Sequence, residues 1–118
     1  MAKSILREKS YGFAIQVVQL SQVLQTEKKE FVMSKQFLRS GTAIGALLRE
    51  AEFGQSLPDF IHKMSISLKE ANETEYWLSL LKDTGYLEEN LFLDLHSNCK
   101  ELIALLVASI KTAKQGLK

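Results

Sequence analysis

A chain of 118 residues, 46% of them hydrophobic, has the material for one domain with a real core. Its 15 basic and 14 acidic residues leave a formal charge of +1, which excludes a global basic field and an acidic tail, so any binding of polyanions must come from local charge. The single cysteine, Cys99, excludes an internal disulfide and a cysteine zinc site, and no apolar run reaches the roughly 18–20 residues of a membrane span, so a soluble cytoplasmic protein is expected.

The first predicted helix covers about residues 4–29, where Leu6, Phe13, Val17, Leu20 and Leu24 recur at steps of three, four or seven. Lys28 and Lys29 then suit the negative end of the helix dipole. A second helix over about 35–53 starts after Ser34 as N-cap, carries Phe37, Gly41, Ile44, Leu48 and Ala51 on one face, and stops at Gly54. "SLPDF" opens the third, with Ser56 as N-cap, Pro58 in the first turn where a missing N–H costs nothing, and Asp59 in the capping-box position. It runs through Ile61, Met64, Leu68, Ala71, Leu78 and Leu81 to "DTGY", where Gly85 ends it. The fourth, about 88–114, repeats the pattern with Leu91, Leu95, Leu102, Leu106 and Ile110. Helices of similar length joined by short loops are antiparallel neighbours, because a short loop cannot carry the chain back along a helix. The expected fold is all-α, one up-down-up-down four-helix bundle over residues 1–118.

The acidic stretch "LKEANETEYWLSLL" raises the question of a metal site. A di-iron bundle needs inward glutamates on two helices and a Glu-x-x-His pair on each of the others. His62 follows Asp59 and His96 follows Leu93 at that spacing, so the pair never forms, and neither a metal nor another cofactor is expected. A polar seam fits better. Arg39 and Glu73 each lie seventeen residues from Ser56, so folding the second and third helices about that turn brings Arg39 among Glu70, Glu73 and Glu75. Glu75 falls on the apolar phase between Ala71 and Leu78, which makes it the glutamate expected to be partly buried, and Arg39 is expected to pair with Glu75 or Glu73.

Gly41 and Gly45 form a small-xxx-small pair that Arg39 and Arg49 bracket, which rules out a membrane helix. In a soluble helix each glycine costs about 1 kcal/mol against alanine, so the two point to close approach of another helix, from this chain or from another subunit. Tyr76 and Trp77 read as core aromatics beside Leu78 and Leu81, Cys99 as a buried bystander, and the two histidines as surface or boundary residues. No phosphate loop, nucleophile elbow or dinucleotide fingerprint is present. No catalytic residue is therefore expected.

In the expected topology both termini, the end of the second helix and the start of the third share one end of the bundle. That end gathers Lys3, Arg7, Lys9, Arg49, Lys63, Lys111, Lys114 and Lys118 against Glu8, Glu50, Glu52 and Asp59. The excess suits phosphates, and equally suits solubility.

The stretches "KSYGFAIQVVQL", "KQFLRSGTAIGALLREAE" and "SLPDFIHKMSISLKEANETEYWLSLLKDTGY" together resemble the four-helix bundle family encoded by intervening sequences in bacterial 23S ribosomal RNA genes. The likeness spans nearly the whole chain. It rests most on Arg39, Ser40, Ile44 and Gly45, then Ser56, Asp59, Phe60, Lys63, Lys69, Glu70, Ala71, Glu73, Thr74, Trp77 and Leu78. Leu47 departs from it, standing where the family commonly has asparagine, so the polar contact of that amide is absent here. The resemblance implies a left-handed antiparallel bundle, assembly into a ring, a homopentamer, and kinship with the accessory protein of diversity-generating retroelements, a basic pentamer that binds nucleic acid and a reverse transcriptase. It implies no enzymatic activity. Two readings of function follow: an oligomeric bundle that binds RNA or another nucleic acid through its basic end, and a protein-interaction scaffold or accessory subunit without nucleic-acid contact.

Overall fold

The computed structural model describes the backbone of residues 2–116 and the side chains of residues 5–116. Four helices fill it: α1 (Ala2–Thr26), α2 (Val32–Glu52), α3 (Leu57–Asp83) and α4 (Glu89–Gln115). There is no strand among the described residues.

The contacts between helices define the register. Gln25 Nε2 donates to Ser34 Oγ near one end of α1 and α2, while Arg7 meets Glu52 near the other. Ser67 Oγ donates to the Ile44 carbonyl at 3.0 Å, and Thr74 Oγ1 stands 2.9 Å from Ser40 Oγ. Cys99 Sγ donates to the Ala71 carbonyl, and Gln16 Nε2 to Asp94 Oδ2. Glu75 meets His96 and Lys9 meets Glu101 along the same two interfaces, so in each of the four pairs one number rises as the other falls and neighbouring helices run in opposite directions. Each helix packs on two others, α1 on α2, α2 on α3, α3 on α4, and α4 back on α1, the last seam being the thinnest. Small residues on the final turns of α4, Ala108, Ser109, Thr112 and Ala113, border a cavity of about 330 Å³ at one end of the bundle, lined also by Leu6, Leu48 and Met64 from the other three helices.

The apolar phase of each helix is its inner face. Leu6, Phe13, Val17, Leu20 and Leu24 from α1 meet Phe37, Ile44, Leu48 and Ala51 from α2, and Met64, Ala71, Leu78 and Leu81 from α3 meet Leu95, Leu102, Leu106 and Ile110 from α4. Leu91 is the exception to the expected stripe: it is 40% exposed at the rim, where Phe92 takes the inward position. Tyr76 also lies outside, 57% exposed, with its ring edge-on to the half-buried Trp77.

The turns differ from expectation in instructive ways. α1 ends at Thr26, before Lys28 and Lys29, and Lys29 adopts a positive φ of 55° in the connecting loop. Ser34 does not cap α2. It lies buried in the first turn, donating to the Glu30 carbonyl, while the Glu30 carboxylate accepts the free N–H groups of Val32, Met33 and Ser34. A glutamate one turn upstream thus does what a serine N-cap was expected to do. At α3 the expected cap forms, Ser56 Oγ accepting the Asp59 N–H, but the Asp59 carboxylate reaches back to the N–H of Gln55. Gly85 closes α3 with φ 86°, the left-handed conformation that glycine adopts without strain.

Candidate nucleic-acid interface

The register places the start of α1, the end of α2, the start of α3 and the end of α4 at one end. There Arg7 pairs with Glu52 at 3.6 Å, Lys63 with Glu50 at 3.0 Å and Lys9 with Glu101 at 3.2 Å. The Glu50 carboxylate accepts from the Lys63 ammonium and so raises its pKa. These three pairs cancel much of the apparent excess. Lys111 and Lys114 are exposed on the last turns of α4 and have no ion-pair partner among the described residues. The side chain of Lys3 lies outside the described residues, as does Lys118.

Arg49 has no carboxylate partner among the described residues either. Its guanidinium lies over the Tyr11 ring, 5.7 Å from the centroid. One turn further on is Phe53, 83% exposed at the end of α2. Arg49, Phe53, Ser56 and Lys63, together with the acidic Glu50 and Asp59, border a surface depression of about 790 Å³. Neither Tyr11 nor Phe53 was expected at this site. The available signals were weak: Tyr11 falls off the apolar phase of α1, and Phe53 stands directly before a glycine stop.

The seam forms away from this end, with a different membership from that expected. Arg39 Nη1 pairs with Glu70 Oε1 at 3.2 Å and Arg39 Nη2 with Glu73 Oε2, which also accepts from Trp77 Nε1 at 3.1 Å. The Trp77 N–H, and after it the Arg39 guanidinium, hold the Glu73 carboxyl below its usual range. Glu75 is not part of the seam. It points toward α4, 2.9 Å from His96 Nε2 and 3.9 Å from Lys100 Nζ. Nor is it the most buried of the three, since its side chain is 30% exposed and that of Glu70 only 15%. Helical phase placed Glu75 inward of the outer face without saying which neighbour it would meet.

The close neighbour at Gly41 and Gly45 is α1 of the same chain. A Cβ on Gly41 would stand 2.7 Å from a Val17 methyl, and one on Gly45 would stand 3.3 Å from Ser10 Oγ. Cys99 is buried, and desolvation first, then the Glu75 charge, pushes its thiol up to about 12. Among the described residues no group of three or more His, Cys, Asp or Glu side chains is placed to hold a metal ion, and no helix is long and apolar enough to cross a membrane.

The profile of the 23S rRNA-intervening sequence protein family matches residues 2–108. The chain belongs to this family. A crystal structure of a protein of unknown function from the S23 ribosomal protein family of Bacteroides thetaiotaomicron is 50% identical in sequence, with a TM-score of 0.93 over 94% of this chain and 99% of that one. No curated protein matches the sequence. The solved relative shares the fold at 50% identity and is itself of unknown function.

Proposed function

We propose that this 23S rRNA-intervening sequence protein is a non-enzymatic, oligomeric, cytoplasmic bundle that binds RNA through the basic end. The observation that carries the reading is the pair Lys111 and Lys114, exposed and without an ion-pair partner among the described residues, at the same end as the equally unpaired Arg49. Arg7, Lys9 and Lys63 are already engaged by Glu52, Glu101 and Glu50 and contribute less. One chain at +1 attracts phosphates weakly, but copies arranged in parallel around a ring bring several such ends together.

A face suited to that assembly supports the oligomeric part. From Ser10 to Thr26, α1 carries no charged residue, yet Ile15, Val18 and Val23 are exposed along it. In a chain that is 25% charged, an outward helical face without charge is suited to contact with protein. The homopentamer implied by the family resemblance is the arrangement proposed.

The test is binding of structured RNA at two salt concentrations by the wild type and by Lys111→Glu/Lys114→Glu, with equal assembly established by light scattering. Binding that weakens steeply with salt and is lost in the variant is the expected result, because each neutralised phosphate releases counterions. Absence of binding by either protein at low salt would overturn the reading and leave a protein partner as the function of the exposed faces.

A further inference from the structure

Tyr11, Arg49 and Phe53 form a row at the basic end. Arg49 links them, with its guanidinium 5.7 Å from the Tyr11 ring centroid on one side and a shared depression with Phe53 on the other. Phe53 is the first residue past the end of α2 and borders the same depression as Arg49, while Tyr11 reaches Arg49 from α1. The rings are 60% and 83% exposed. A phenylalanine so open to water at the end of a folded helix gains almost nothing for the fold.

The depression itself is close to electrically balanced. Lys63 is matched by Glu50, and the Asp59 carboxylate, which lines it with Arg49, faces the backbone of Gln55. Charge alone is therefore a poor account of what this part of the surface attracts. Two largely exposed aromatic rings and a planar guanidinium with no ion-pair partner among the described residues are instead the groups on which unstacked nucleotide bases lie. Bases within a duplex keep their faces against one another and have none to offer.

We infer that the Tyr11–Arg49–Phe53 row stacks unpaired bases, so that the nucleic acid taken at this end is single-stranded, in a loop or a free strand, with Lys111 and Lys114 drawing in its phosphates. The inference rests on the nucleic-acid reading above and specifies its substrate class. It also separates two kinds of residue at one site, those that set the salt dependence and those that select unpaired strands.

The experiment compares an oligoadenylate strand with the same strand annealed to oligouridylate, at fixed salt, for wild type, Tyr11→Ala, Phe53→Ala, Phe53→Leu and Phe53→Trp. The expected result is preference for the single strand, lost by about 5- to 150-fold for each base platform removed. Phe53→Leu is expected to lose as Phe53→Ala does, and Phe53→Trp to retain binding, since a π face rather than apolar bulk is required. The salt slope stays as in wild type. Equal affinity for strand and duplex, or unchanged affinity in the alanine variants, would overturn the stacking inference while leaving charge-driven binding in place. A changed assembly mass for Tyr11→Ala or Phe53→Ala would also overturn it, by assigning that ring to subunit contact. Binding of neither nucleic acid by wild type at low salt would remove both readings together.

Discussion

Both γ-methyls of Val17 occupy the space beside Gly41, 2.7 and 2.8 Å from where a Cβ would stand. Val17 is fully buried, so it has nowhere to yield. Gly41→Ala is expected to lower stability by about 1 kcal/mol, because overpacking of about 1–3 kcal/mol exceeds the gain of about 1 kcal/mol in helix propensity. Combining it with Val17→Ala should cost less than the sum of the single changes. Gly12→Ala, which meets nothing within 4 Å, is expected to stabilise. Urea denaturation of the four variants checks the order, and a neutral Gly41→Ala would contradict the close approach.

Ser21 is the one buried side chain among the described residues whose oxygen has no hydrogen-bond partner. A buried hydroxyl left unpaired costs about 1–3 kcal/mol. Ser21→Ala is therefore expected to raise the midpoint of thermal unfolding, whereas Ser67→Ala, which frees the Ile44 carbonyl, is expected to lower it. Parallel calorimetric scans of the two variants would show opposite shifts.

Glu73 links the seam to pH. Its folded-state pKa lies below the unfolded value, chiefly through the Trp77 N–H and then through Arg39. The stabilisation is fully present above the unfolded pKa, about 4.3, and is lost as pH falls through the lower folded value. The stability difference between wild type and Glu73→Gln should accordingly shrink on acidification from about pH 6 to pH 3. Trp77→Phe should raise the Glu73 pKa in a carbon-detected NMR titration. A difference that stays constant with pH would show that the seam does not discriminate the charged carboxyl.

Arg39 is half exposed, so its two ion pairs are worth less than their geometry suggests. A double-mutant cycle between Arg39→Ala and Glu73→Gln is expected to return a coupling of about 0.2–1 kcal/mol, reduced by added salt. A larger, salt-insensitive value would mean that the pair is shielded from solvent.

The Cys99 thiol, buried and pushed up to about 12, is expected to resist aromatic disulfide reagents at mildly alkaline pH until the protein unfolds. Labelling rates should follow the unfolded fraction as urea is added. Rapid stoichiometric reaction of the native protein would mean that α3 and α4 separate readily at Ala71 and Cys99.

The four helices were legible because burial imposes a period, and the stripe from Leu6 to Leu24 or from Phe37 to Ala51 has one geometric solution. Arg39 opposite Glu73 was legible for a similar reason, since equal distances from a turn meet in an antiparallel pair. What periodicity does not encode is the direction of a side chain at the boundary between two neighbours. Glu75 therefore turned to His96, and Lys9 found Glu101, a residue remote in sequence that cancels part of the basic end. Glu30 escaped notice because it caps from outside the usual position. Phe53 did so because the apolar character of a ring is the same whether water or a core surrounds it.

The thin seam between α1 and α4 also implies an order of assembly. The other three seams join helices adjacent in the chain, and their loops are short enough that closing them costs little entropy. The α1–α4 seam alone unites segments separated by two whole helices, and it rewards that closure with the least packing. Folding is thus expected to zip through consecutive hairpins and to shut the bundle last, and the same seam is the first to part when the native protein breathes.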